Sequence, residues 1–530
     1  MPSVERYRSR LERHMAEGRT EQALEVLALW RAGHPGLLEP ELVLARIEQL
    51  QGRYCQARAR ALNAVATLEC PGALALDVVN CLRVFIAHDA LDTWIASFPA
   101  RAAVPAEDQA RIAAALSSIG LHAPALDWVE ESVAKSPSSG ICRVNRALIR
   151  SYAGDFDGAR ADLDQVVDGP EDSATAHWLL ARLDTQDPEP GRVERLRRRI
   201  ATCARAADSA LLQFALFQEL DRAGDVGAAW QALMEGCRQA RKQAAYDPVA
   251  SERLFAALRK RFPLARSPAA HVSRDPVPIF IVGMHRSGTT LLERMLAAHP
   301  GVFAYGESQR LSGALRQAAD HGCQPLLDEV LISRASSMDT RQVSTCYFAE
   351  GRRRIGAASH VTDKLPGNFQ LIGFIHDAMP QARVIHLRRD PMDLCFANLR
   401  ELFSDSVSYS YTIEDLAHFH AHYVELMRHW QRSFPGFVLD VDYEDLVTNP
   451  EQVSRRVFEF CGLDWTPAAL EPSASSDSPV NTLSSMQVRR PIHSRSIGRW
   501  KPYAKWLGPL QTLLDCRSSG FQREPGPEPG

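Results

Sequence analysis

The 530-residue chain has no C-x-x-C pair, no metal-finger spacing and no apolar run near the ~20 residues of a membrane span. Its 11 cysteines are scattered and odd in number, which excludes a fully paired disulfide framework and points to reduced thiols in a reducing compartment. A bias to one charge is also missing. A net charge of −3 gives no global electrostatic case for nucleic acid. The N-terminus, MPSVERYRSRLERHMAEGR, is charged and helical with no apolar stretch behind it, so no secretory leader is expected. These absences lead to a cytoplasmic protein with no membrane span, no nucleic-acid partner and no metal. What is present, 45% apolar and 24% charged residues over 530 positions, is enough for two or three globular cores.

The first half also lacks strands: from Tyr7 to about Phe262 helical patterns alternate with short Gly and Pro punctuation. A paired signal recurs at Gly18/Ala23, Gly52/Ala57, Gly120/Ala125, Gly154/Ala159 and Gly224/Ala229. The intervals of 34, 68, 34 and 70 residues are one, two, one and two repeats of a helix–turn–helix unit. Glycine frees the turn between two helices, and the small alanine lets them approach closely. The missing units are expected near Ile86 and Pro188. This period is similar to that of the tetratricopeptide repeat, so residues 1–264 are expected to be an α-solenoid whose concave face binds a partner. Residues 265–277, rich in proline, read as a linker.

At Pro278–Pro300, PIFIVGMHRSGTTLLERMLAAHP, the pattern changes. Ile279–Val282 suits a buried parallel strand, Gly283 and Gly288 bracket MHRS, and Thr289-Thr290 open an apolar helix. A strand, glycine turn and helix N-terminus point N–H groups and a positive dipole at an anion. An ordinary βα turn is the simpler reading, but Arg286, Ser287, Thr289 and Thr290 within five positions favour a phosphate-like ligand. The lysine of nucleotide-hydrolysing P-loops is missing, with Thr289 in its place. Arg286 supplies instead a permanent planar cation suited to phosphate or sulfate.

The stretch resembles the 5′-phosphosulfate loop of sulfotransferases, which use 3′-phosphoadenosine 5′-phosphosulfate (PAPS) as donor; His285 stands where the commoner motif has proline. The resemblance runs from Pro278 to Leu510 in four ordered motifs, closest to the tyrosine-sulfating and tetratricopeptide-linked branches. It implies Glu307 as general base, although Gly306 and Gln309 replace a second acid and an arginine of that branch. Lys364, at the tip of a strand ending HVTDKLPG, is implied to support the bridging oxygen and leaving phosphate. RRDP, with Arg389, resembles the 3′-phosphate signature, but Ala397 occupies the position of its second ligand, a serine; Asn398 or Arg400 are candidates to compensate. Tyr443 opens YEDLVTNP, a helix start the family often shows.

A basic loop, Thr482–Leu510, resembles the segment that folds over the donor. There Ser484 matches the active-site serine, with Ser485 beside it; Gln487, Val488, Arg489 and Arg490 match a backbone cradle, and Arg499 a terminal cation. His418 and His422 share a helix face, but no Glu stands in H-E-x-x-H register, so packing is the reading. The expected architecture is therefore a helical array, 1–264, then a P-loop-type three-layer α/β domain with a parallel sheet, 278–516, and a disordered tail, 517–530. The expected function is PAPS-dependent sulfuryl transfer to a hydroxyl acceptor. A scaffold with an inactive transferase domain, suggested by Ala397, and a P-loop kinase are the alternatives.

Overall fold

The computed structural model describes residues 3–183, 191–264, 276–323, 326–403, 405–472, 489 and 491–520. They form a helical N-terminal region followed by an α/β portion built on one parallel sheet, and group into two compact units.

The first unit joins Met1–Ser138 to Gln309–Gly356. Its helix pairs are Val4–Ala16 with Thr20–Gly33, Leu38–Leu50 with Tyr54–Thr67, Ala75–Val84 with His88–Ser97, and Ala106–Ser118 with His122–Lys135. Gly18, Gly52 and Gly120 turn each pair in the left-handed region, at φ of 69°, 78° and 82°. Ala23, Ala57 and Ala125 are fully buried where the paired helices meet. The unit missing its glycine keeps the turn, since Ile86 adopts φ 52° at the position the period predicts.

Gln309–Gly356 contributes short helices, among them Arg310–Ala319 and Thr340–Ala349, that pack on these pairs. A Cβ at Gly313 would lie 3.0 Å from Ile86 Cδ1. Cys55 N donates to Asp320 Oδ1 at 2.7 Å, Arg58 pairs with Glu350 at 2.6 Å, and Arg354 donates to the Gly120 carbonyl at 2.9 Å.

The second unit comprises Ser139–Ser308 and Ala357–Gly530. Its strands are β1 (Val277–Val282), β2 (Val302–Ala304), β3 (His360–Asp363), β4 (Arg383–Arg388) and β5 (Val438–Asp442), all parallel in the order β2-β3-β1-β4-β5. Ile279–Val282, Val384, Ile385 and Leu387 are wholly buried, as the apolar runs required. Parallel strands bring all their C-terminal ends to one edge, where ligands of open α/β sheets bind.

This unit also contains the helices Gly140–Ala153, Phe156–Val167, Ala174–Leu183, Arg192–Ala201, Ala206–Arg222, Val226–Arg241 and Pro248–Arg261. Trp230 stacks on Trp506 with ring centres 5.5 Å apart, Tyr503 donates to Asp221 Oδ1 at 2.6 Å, and His429 meets the Phe262 carbonyl at 2.6 Å. These helices thus pack against the helices Ile413–Ser433 and Ala504–Gly520 of the α/β portion. Pro188 and most of the linker, 265–275, lie outside the described residues, as do 521–530; the final helix runs Ala504–Gly520. No disulfide joins the described residues, and no helix among them is long and apolar enough to cross a membrane.

Candidate functional site

The loop after β1 occupies the middle of the sheet edge, between the ends of β3 and β4. A Cβ at Gly288 (φ 106°) would sit 2.4 Å from Tyr443 Cδ2, so the helix Thr289–Ala297 can begin against that ring only with glycine. That helix has no side-chain cap, which leaves its first N–H groups for a ligand. Arg286 holds φ 66°, strained for a side chain of its size. Its carbonyl accepts from Arg389 Nη1 at 2.9 Å, and the Arg389 guanidinium lies 4.9 Å over the Tyr443 ring. Arg389 Nη2 donates to the Ser496 carbonyl at 2.5 Å. Ser287 Oγ and Arg389 Nε are buried with no hydrogen-bond partner among the described residues. Two orphaned donors in a glycine-lined turn fit an oxyanion ligand.

His285 is half-buried and bonds Tyr409 OH through Nδ1 at 3.0 Å. Burial above all lowers its pKa to about 4, so the ring is neutral at pH 7. Its carbonyl accepts from Asn398 Nδ2 at 2.7 Å, and the same nitrogen donates to Leu394 O at 2.8 Å. Arg400 is held by Asp221 Oδ2 at 2.9 Å. Both groups the sequence offers to compensate for Ala397 therefore have other partners, while Ala397 itself is half-buried.

The second cluster lies at the ends of β2 and β3. Tyr305 N donates to Thr362 O at 3.0 Å and Lys364 N to Gly306 O at 2.9 Å, which carries the pairing past the strand ends. Lys364, with no exposed surface, then donates from Nζ to Glu307 Oε1 at 2.8 Å; the Glu307 side chain is 41% exposed. Behind them, Glu293 Oε1 accepts from Gly306 N and Thr362 Oγ1, each at 3.1 Å. Burial pushes the Glu293 carboxyl above its ordinary value. Glu293 thereby fixes the turn that presents Glu307. Pattern reading missed it, although an acid inside an otherwise buried helix face was the available signal.

Residues 278–467 match the model described as the sulfotransferase family. The match takes in both the loop after β1 and the Glu307–Lys364 pair. An uncharacterized protein of Aquifex aeolicus is 31% identical over 258 residues, covering 47% of this chain and 33% of that protein. A protein-tyrosine sulfotransferase of Drosophila melanogaster is 26% identical over 246 residues, 43% of this chain and 48% of that protein. The chain thus spans between a third and a half of these relatives' lengths. Among solved structures, the sulfotransferase domain from the curacin biosynthetic pathway aligns with 48% of this chain and all of its own, at 20% identity and a TM-score of 0.32.

Within the matched segment, the expected residues Arg286, Ser287, Gly288, Thr289, Thr290, Arg389 and Tyr443 come together around the loop, and Glu307 with Lys364 beside it. Arg499 is placed on Asp221 Oδ2 at 2.9 Å, and Arg489 donates to the Tyr152 carbonyl at 2.8 Å. Ser484, Ser485, Gln487, Val488 and Arg490 lie outside the described residues. Glu252 joins His418 and His422, one ligand atom from each lying within 4.8 Å of the others. His418 there bonds Glu252 at 3.0 Å and Tyr246 OH at 2.9 Å.

Proposed function

We propose that the chain is a PAPS-dependent sulfotransferase that passes the sulfuryl group to a hydroxyl acceptor, a protein tyrosine, a glycan or a small molecule, in the cytoplasm. The observation that carries this is the pair of orphaned donors, Ser287 Oγ and Arg389 Nε, at a glycine loop locked by Tyr443 inside the segment that matches the family. Ser287, Thr289, Thr290 and the helix N-terminus would cradle the donor's 5′-phosphosulfate, and Arg389 and Tyr443 its nucleotide end. The acceptor oxygen attacks sulfur in line as the bond from sulfur to the phosphate's bridging oxygen breaks, releasing adenosine 3′,5′-bisphosphate. Glu307 takes the acceptor proton. Lys364, held on Glu307 in the resting site, then serves the bridging oxygen, and Arg286 the sulfuryl oxygens. These groups supply the positive charge that Mg²⁺ provides to nucleotide-hydrolysing enzymes. The helix pairs, tetratricopeptide-like in period, would recruit the acceptor.

Adenosine 3′,5′-bisphosphate without metal should raise the unfolding midpoint, by ~2.7 kcal/mol at a hundred times its dissociation constant, and Mg-ATP much less. Equal stabilisation by Mg-ATP refutes the donor assignment. Labelled PAPS incubated with cell extract then identifies the acceptor by where label appears. One observation favours a second reading, a scaffold with a weak transferase: Asn398 and Arg400 are tied elsewhere, so neither stands in for the family's serine at position 397. Ala397→Ser should then tighten nucleotide binding; no change would remove that reason for the scaffold.

A further inference from the structure

Arg182 lies at the end of the helix Ala174–Leu183, 219 positions before Glu401, yet the two form an ion pair through Nη1 and Oε1. The other carboxylate oxygen, Oε2, faces Arg286 Nε at 3.9 Å. Glu401 is 6% exposed, so its charge needs compensation from within the protein. A buried carboxylate beside a single arginine closes into a bidentate pair and neutralises it. In this arrangement Glu401 is shared between two guanidinium groups, and the longer contact is the one to the loop.

We propose that Arg182 is a positioning residue of the donor site: by occupying Glu401 Oε1 it keeps Glu401 from closing on Arg286, so that Arg286 retains its charge for the donor's oxyanions. The inference rests on the donor reading above. It makes a residue of the helical region part of the transfer machinery. Arg182 is itself held in place, its guanidinium 5.0 Å from the Trp178 ring centre. The surroundings of Arg286 agree. Burial is the first cause that pulls its guanidinium below the ordinary value; Glu401 opposes this, while Arg182, Arg389 and Arg400 add to it.

The test is calorimetric titration of adenosine 3′,5′-bisphosphate into the full chain and three variants, with denaturation curves to confirm folding. Arg182→Ala lets Glu401 close on Arg286 and should weaken binding roughly tenfold or more. Glu401→Gln, with no charge to neutralise Arg286, should bind as well as the parent or tighter. The double variant Arg182→Ala/Glu401→Gln should recover most of the lost affinity, which loss of a merely structural contact would not allow. Arg182→Lys, which keeps the charge, should stay within a few-fold of the parent. Equal affinity of Arg182→Ala and the parent, or a double variant as weak as Arg182→Ala, overturns the inference alone. A parent protein that does not bind the nucleotide overturns the donor reading together with it.

Discussion

Gly288→Ala tests whether the loop is built as tightly as its geometry implies. The new methyl would stand 2.4 Å from Tyr443 Cδ2 and 2.9 Å from Cε2, at a φ of 106°. The backbone term alone costs about 1–2 kcal/mol for a residue with a Cβ. Overpacking adds about 1–3 kcal/mol, offset by only ~0.4–1 kcal/mol from the stiffer unfolded chain. Tyr443 has nowhere easy to go, being 7% exposed beneath Arg389, whose Nη1 holds the Arg286 carbonyl. Displacing the ring therefore moves the arginine and the loop with it. The expected outcome is a loss of about 2–4 kcal/mol of stability together with weakened binding of adenosine 3′,5′-bisphosphate. Urea denaturation and nucleotide titration on Gly288→Ala, Tyr443→Ala and the double variant measure both effects. Removing the ring abolishes the clash, so the double variant should lose less than the two single variants added together. A Gly288→Ala protein within about 0.5 kcal/mol of the parent, binding nucleotide normally, would refute the reasoning.

Glu307→Gln should lower turnover by ~10² to 10⁴ while leaving donor affinity intact or slightly raised, since Lys364 loses its anionic partner; retained turnover would place the base elsewhere. His285 and His420 both have pKa values lowered by burial to about 4, against an unfolded 6.5. Their neutral forms stabilise the folded unit fully above pH 6.5, and each can cost up to about 3 kcal/mol as pH falls toward 4 and the unfolded chain takes up protons first. Denaturant midpoints should therefore drop between pH 7 and 5, less so in His285→Gln; identical slopes in both proteins would contradict the assignment. Trp230→Ala should destabilise the second unit by about 3–5 kcal/mol, because it empties a buried stack against Trp506; a loss under about 1 kcal/mol would show that the stack contributes little.

Short-range patterns carried much of this fold. The Gly-to-Ala spacing located most of the helix pairs, β1 was legible as an apolar run and β3 by the Pro-Gly turn after it, because each depends on neighbours within a few residues. β2 escaped because a three-residue strand, Val302–Ala304, is too short to show alternation. Ile86 escaped as a turn residue because its conformation is imposed by its helix pair; only the period pointed to it. The site divided along the same line. Arg286, Lys364 and Arg389 follow strand tips and could be read locally. Arg182 and Asp221 could not, since they act on Glu401 and Arg400 about two hundred positions away; Glu293 stood out locally only as an acid on a buried helix face, its partners, a backbone N–H and a hydroxyl, being brought to it by β2 and β3.

The first unit is discontinuous in sequence, its last part, Gln309–Gly356, being encoded after much of the second. Ribosomes add roughly 5–20 residues per second, so the gap between residues 138 and 309 takes on the order of ten to thirty seconds to synthesise. Throughout that interval the nascent segments carrying Cys55, Arg58 and Ile86 wait without the partners they will meet, Asp320, Glu350 and Gly313. The first four helix pairs, although made first, can finish folding only late in translation. Chaperone demand in the cell should accordingly fall on the N-terminal helices, and a ribosome stalled before residue 309 would present them incomplete.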